Sequence, residues 1–201
     1  MKYLFIDTAT ANLVVAIIIN NKITYIHNEY TGKNMSILAM PKIEEAFKTS
    51  KIKPNQIDKI FVSYGTGSFT GIRIGLTIAK VMASQLKIPV IPISTLEIMA
   101  STNTSAVNTA IIDARRGYVY AGTYDQNLNN IKPDAHVLLK KVNSNSTFIS
   151  NDELPNCQKP SIDILKVINK HKNEEGINPH KLNPNYLKLT EAEEKLKNKH
   201  D

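Results

Sequence analysis

The residues of this chain that could do chemistry are few. A glycine-rich stretch, Gly65-Thr66-Gly67-Ser68-Phe69-Thr70-Gly71-Ile72-Arg73-Ile74-Gly75, holds four of its eight glycines. An apolar run leads into it and a helical pattern leaves it. A strand, a tight turn and a helix start can cradle an anion with exposed backbone N–H groups. No Gly-Lys-Ser/Thr follows, so it is not a P-loop. The spacing of Gly65, Gly67 and Gly71 is too wide for a dinucleotide fingerprint. Asp7, with Thr8 and Thr10, ends the first apolar run and could position a metal and a phosphate, or simply close the strand by local hydrogen bonds. His27, His136, His171, His180 and His200 are not spaced as a zinc pair on one helix face. Ser68 lacks a Gly-x-Ser-x-Gly elbow. Cys157 is the only cysteine, which excludes an intrachain disulfide and a cysteine metal site. Asp113-Ala114-Arg115-Arg116-Gly117 is a charged turn that reads as a structural clamp or an anion site.

With 201 residues, 42% of them hydrophobic, the chain can form one large domain or two small lobes. A net charge of +7 suits an anionic partner such as RNA, or is the solvated surface of a Lys- and Asn-rich chain. Asp7 comes too early for a signal peptide, and no apolar run reaches bilayer length. The chain therefore reads as soluble and cytoplasmic.

The elements that must position these residues follow from the apolar patterning. Tyr3–Ile6, Leu13–Ile19 and Ile23–Glu29 read as a three-strand meander, with Asn20-Asn21 at a hairpin turn. A helix over Ser36–Thr49, capped by Ser36 and either kinked or short of one hydrogen bond at Pro41, places Met35, Ala39, Ile43, Ala46 and Phe47 on one side. Lys59–Ser63 is a strand, and a second helix runs over Thr70–Lys87. A strand over Ile88–Ile93 and a short helix through Met99 follow. Ser101-Thr102-Asn103-Thr104-Ser105 reads as a hinge. Val107–Ile112 and Tyr118–Tyr124 form a second hairpin. His136–Lys140 and Thr147–Ser150 are further strands, with helices over Ile162–His171 and Glu191–Lys199. Each half opens with a strand ending in aspartate, Asp7 and Asp113, as a duplicated design would.

At 100° per residue, the second helix puts Ile72, Leu76, Ala79, Ala83 and Leu86 on one side. Arg73, Thr77, Lys80, Ser84 and Lys87 form a polar stripe. Ile74, Ile78, Val81 and Met82 form a second apolar side, joined by Gly71 and Gly75. Two glycines four apart would leave a notch for another helix, either within the domain or from another subunit.

Taken together, Ile6-Asp7-Thr8-Ala9-Thr10, the glycine stretch, Pro92-Ile93-Ser94-Thr95-Leu96, Asp113-Ala114-Arg115-Arg116-Gly117-Tyr118-Val119-Tyr120 and Pro184-Asn185-Tyr186-Leu187 with Glu191-Ala192-Glu193 resemble the TsaB (YeaZ) family. The resemblance implies an α/β, two-lobed actin-like (sugar-kinase/actin, RNase H-like) fold with mixed sheets. The lobes would be 1–104 and 105–201, with the last helix packing back on the first lobe. It implies a non-catalytic scaffold subunit for N6-threonylcarbamoyladenosine synthesis in tRNA, pairing with the catalytic subunit TsaD and the ATPase TsaE. Alone, such a subunit would form a homodimer. It would hold no metal and no cofactor of its own, with ATP or ADP bound by the assembled complex and tRNA reached through it. The pairing surface would comprise Met35, Leu38, Ser68, Phe69, Gly71, Ile74, Gly75, Ile78 and Met82, with Gly65 and Gly67 shaping the turn. Thr66 stands where the family usually has proline, Met35 where it often has histidine, and Ala9 where phosphate-binding actin-like loops have glycine. Arg116 replaces a usual apolar residue. The competing reading is an enzyme acting alone, an actin-like phosphotransferase or a peptidase.

Overall fold

The computed structural model describes residues 1–102, 105–142 and 146–188. The chain opens with β1 (Lys2–Asp7), β2 (Asn12–Ile19) and β3 (Lys22–Tyr30), joined as an antiparallel meander. Asn20 and Asn21 both take positive φ in the tight turn between β2 and β3. α1 (Met35–Thr49) leads to β4 (Lys59–Gly65), then α2 (Phe69–Leu86), β5 (Val90–Ser94) and α3 (Thr95–Ala100). The second half runs β6 (Val107–Asp113), β7 (Tyr118–Asp125), β8 (Asn130–Leu138), β9 (Thr147–Ile149), β10 (Cys157–Gln158) and α4 (Ile164–His171).

The sheets are ordered β3-β2-β1-β4-β5 and β8-β7-β6-β9-β10. In each, the opening strand pairs antiparallel with the second and parallel with the fourth. The same order and the same mixture of directions occur twice, which is the two-lobed actin-like arrangement. Asp7 and Asp113 occupy equivalent strand ends. Each carboxylate accepts a backbone N–H two residues on, from Ala9 (2.9 Å) and Arg115 (2.8 Å) respectively.

The first sheet is apolar on both faces, so it needs two covers. Leu4, Ile6, Val15, Ile60 and Val62 face α1 and α2, with Ala39, Ile43, Ile72 and Leu76 packed against them. Phe5, Val14, Phe61 and Ile91 face the other way, into a core shared with α3, α4 and Ala110, Tyr124 and Ile149 of the second sheet.

One expectation needs correction here. Ser36 does not cap α1: a 3-10 turn over Gly32–Asn34 runs straight into it, and Asn34 stands at the cap position without a side-chain bond. Pro41 lies inside that helix, as expected; the bond it removes would go to Ile37, and both residues are exposed. Two residues of the expected hinge are held by hydrogen bonds. Ser101 and Thr102 are buried, and their hydroxyls accept N–H bonds from Asp163 (2.9 Å) and Ser161 (3.0 Å). Asn103 and Thr104, where the expected lobe boundary falls, lie outside the described residues. So does the helix expected over Glu191–Lys199.

α4 is tied to α3 by charge. Glu97 is buried and receives Lys170 Nζ (2.9 Å) and His171 Nε2 (2.6 Å); His171 Nδ1 faces Glu174 at 2.5 Å. Both ring nitrogens face carboxylates, which only accept, so the imidazolium suits both. Burial disfavours that charge, but the bonds and charges of Glu97 and Glu174 outweigh it and raise the His171 pKa. Burial likewise opposes the Glu97 charge, and the bonds from His171 and Lys170 outweigh it, lowering its pKa. A raised histidine stabilises fully below its ordinary value of 6.5, and the contribution is lost as pH rises through the folded value. A lowered glutamate contributes above its ordinary 4.5, and the contribution is lost as pH falls through the folded value. The pair is therefore strongest between 4.5 and 6.5. His171→Gln should lower the melting temperature more at pH 6 than at pH 9; equal losses at both would contradict an imidazolium here.

The β1–β2 turn is locked to α2. Thr8 Oγ1 donates to the Gly71 carbonyl (2.7 Å) and accepts the Gly75 N–H (3.0 Å), the two groups an uninterrupted helix would pair with each other. A Cβ on Gly75 would lie 2.4 Å from that hydroxyl. Gly75→Ala should destabilise by about 1–3 kcal/mol through overpacking, despite a helix-propensity gain of about 1 kcal/mol. Combined with Thr8→Ala, most of that loss should vanish in a denaturation-based double-mutant cycle; additive losses would mean the contact is not the cause.

Candidate partner interface

α1 and α2 lie side by side, and the valley between their outer faces is lined mainly by apolar side chains. One groove of about 510 Å³ is lined by Ser36 and Met40 of α1 and by Phe69, Arg73, Ile74 and Ile78 of α2. A second, of about 690 Å³, continues it between Met40, Ile43 and Phe47 on one side and Val81, Met82 and Leu86 on the other. Met40 lines both. Phe69 is 57% exposed, Val81 57%, Met40 50% and Ile37 69%. A contiguous apolar patch of this kind is a candidate interaction site.

The sequence-derived residues divide across this surface. Ile74, Ile78, Met82 and Leu38 are half-buried at its floor, where α1 and α2 meet. Phe69 stands exposed at one end. Ser68 is exposed too, and its hydroxyl caps α2 by accepting the Gly71 N–H at 3.1 Å. Met35 is 6% exposed and belongs to the core under α1. The α1 stripe read from the sequence already contained it, because helical spacing makes it the first turn of that stripe.

Gly71 and Gly75 need the larger correction. They are buried and do not form an external notch. A Cβ on Gly71 would lie 2.1 Å from the Thr8 carbonyl, so the β1–β2 turn of this same chain fills the notch. Ile37, Met40 and Val81 complete the exposed face. Val81 was legible as part of the second apolar side of α2. Ile37 and Met40 lie three apart, outside the buried stripe of α1, and that spacing was the available signal.

Gly65 and Gly67 do shape the turn. Their φ values are +124° and +143°. A Cβ would meet the Asn185 carbonyl at 2.7 Å and the Ala9 carbonyl at 2.1 Å. Two donors of the expected anion cradle are used within the chain itself. Ser68 N–H goes to the Ala9 carbonyl (2.7 Å) and Gly71 N–H to Ser68 Oγ. Asp7 is buried, and burial raises its pKa while the Ala9 N–H partly offsets that rise. No group of three or more His, Cys, Asp or Glu able to hold a metal occurs among the described residues. Asp113 and Arg115 are joined through the Arg115 backbone N–H, not the guanidinium, so the expected side-chain clamp is a backbone one.

The C-terminal segment borders the same face. Asn185 N–H bonds the Tyr64 carbonyl at 2.8 Å, and Tyr186 stacks on Phe69 with centroids 5.5 Å apart. Arg73 lies 3.7 Å over the Phe69 ring and donates from Nε to the Tyr186 hydroxyl at 3.0 Å. These contacts hold an exposed aromatic ring in place at the end of the valley. No helix among the described residues is long and apolar enough to cross a membrane.

Residues 14–161 match the family model described as TsaD, tRNA N6-adenosine threonylcarbamoyltransferase. The chain is 32% identical to the tRNA threonylcarbamoyladenosine biosynthesis protein TsaB of Bacillus subtilis, with 97% of each covered. It is 35% identical to the Escherichia coli protein of the same name, over 65% of this chain and 58% of that one. Among solved structures, YeaZ from Pseudomonas aeruginosa superposes with a TM-score of 0.79 at 22% identity, covering 92% of this chain and 99% of that one. A second Pseudomonas aeruginosa structure, described as similar to peptidase YEAZ, reaches 0.81 at 21% identity, covering 93% and 99%. With a relative matched end to end above 30% identity and the same two-lobed fold, the chain belongs to the TsaB (YeaZ) family.

Proposed function

We propose that this protein is a non-catalytic subunit of the machinery that makes N6-threonylcarbamoyladenosine in tRNA, and that it acts by docking on TsaD through the α1/α2 valley. The observation that carries the reading is the continuous apolar face running from Phe69 past Met40 to Val81, on a chain whose relatives are named for that biosynthesis. Burying such a face on a partner supplies the hydrophobic driving force for association. Alone, the same face pairs two copies of the chain. TsaE joins the assembled pair, and tRNA is reached through the complex. ATP or ADP belongs to that assembly.

The test is reconstitution of tRNA modification from TsaD and TsaE, with and without this chain. Met40→Asp combined with Val81→Asp alters only exposed positions, so the variant should fold with near-native stability. It should pair with TsaD, and with itself, at least about 100-fold more weakly, because each carboxylate would be desolvated at the interface. It should also fail to support modification. Normal co-elution of the variant with TsaD would refute the docking face. ATP or peptide hydrolysis by the purified chain alone, abolished by Asp7→Ala, would refute the non-catalytic reading.

A further inference from the structure

The tip of the second sheet carries a cationic and aromatic surface that the α1/α2 valley does not use. Arg115 and Arg116 stand in the β6–β7 turn, both exposed, with φ of +66° and +54°. That left-handed conformation disfavours residues with a Cβ, and glycine or asparagine would meet it at lower cost. Gly117, the next residue, accepts the Leu139 N–H at 2.9 Å. This bond brings the 3-10 turn over Leu139–Lys141 against the arginine turn, so the exposed Lys140 and Lys141 join the same tip. None of the ion pairs among the described residues involves these four cations. Two carboxylates border the tip, Asp113 accepting the Arg115 N–H and Asp152 the Asp113 N–H, and the four cations outnumber them.

Beside the cations stands a stack of rings. Tyr118 lies on His136 at 4.8 Å with an interplanar angle of 11°, and Tyr120 packs on the same imidazole at 5.3 Å. Tyr118 is the outermost ring and 38% exposed. Exposed cations around a fixed aromatic plane make the surface that holds single-stranded nucleic acid: phosphates on the charges, a base on the ring. Arg115 also lines the cleft of about 760 Å³ between the two sheets, which Lys33 and Phe69 line as well. The surface thus leads towards the proposed docking face.

We infer that the β6–β7 tip binds a single-stranded stretch of RNA, with a base on Tyr118 and phosphates on Arg115, Arg116, Lys140 and Lys141. That this RNA is the tRNA substrate rests on the function proposed above; the binding itself does not. The chain's net charge of +7 favours the encounter.

Fluorescence anisotropy with a short labelled single-stranded RNA of mixed sequence tests this on the full chain alone, from about 50 to 200 mM salt. Arg115→Asn and Arg116→Asn suit the left-handed turn, so with Lys140→Gln and Lys141→Gln they remove charge without loss of fold. The fourfold variant should bind at least about tenfold more weakly, with a log–log salt slope shallower by about 2–3. Tyr118→Leu should weaken binding about tenfold and leave the slope unchanged. Both variants should still co-elute with TsaD, which separates failure here from failure of the docking face. The inference is overturned if wild type shows no saturable binding, or if the fourfold variant binds as wild type does. It is equally overturned if an acidic peptide of matched charge competes as well as RNA and Tyr118→Leu has no effect, which would identify an acidic polypeptide as the partner.

Discussion

The Thr8 hydroxyl, inserted between the Gly71 carbonyl and the Gly75 N–H, is the contact on which the first half of the molecule turns. It joins the end of β1 to the start of α2, elements more than sixty residues apart in sequence. Only glycine at both positions lets the turn approach so closely, because a Cβ would strike the Thr8 carbonyl or hydroxyl. The Ala9 carbonyl repeats the arrangement one residue on, against Gly67 and the Ser68 N–H. With this side of α2 fixed inward, its opposite apolar residues must lie along α1 and outward.

That constraint explains why one surface carries so much exposed apolar area. The first sheet is apolar on both faces and is covered on both. The second sheet repeats the strand order but not the helices: its outer face is covered by a small cluster around Ile111, Val119 and Ala121, backed by Phe148, Leu154 and Val137. The α1/α2 pair therefore has no counterpart in the other half among the described residues. The proposed docking function sits on the part of the duplication that the second half lacks, and the cationic tip sits on the half without those helices.

The two surfaces also differ in the physics they offer. The valley is lined mainly by Met, Ile, Val and Phe side chains, with Arg73 held over Phe69 in one groove and Glu44 and Lys48 bordering the other. Such a surface gains from desolvation. The tip presents four cations outside any ion pair among the described residues, and gains from charge neutralisation. The charged Glu97–His171 contact lies elsewhere, tying α3 to α4 within the shared core.

Much of this was legible in one dimension. The apolar runs located β1, β2, β4, β5 and β6, because strands buried on two faces need unbroken apolar sequence. β8, exposed over its first four residues, carries an apolar signal only at its C-terminal end, so the strand expected over His136–Lys140 is Asn130–Leu138 with a 3-10 turn after it, and the two-residue β10 carries none. Helical spacing determined the buried stripe of α1 without error, since a helix presents residues at 100° intervals whatever surrounds it. The aspartates ending β1 and β6 are consistent with a duplication, but the repeated strand order is what shows it. Tertiary structure alone decided which side of α2 met what. Sequence periodicity places Gly71 and Gly75 on a face but cannot say whether Thr8 of the same chain or a separate subunit fills the gap. It likewise could not show that Ser101 and Thr102 are buried by Ser161 and Asp163, or that Lys140 and Lys141 come to lie beside Arg115 and Arg116. Those facts depend on contacts between residues distant in sequence, and periodicity records only the order along one element.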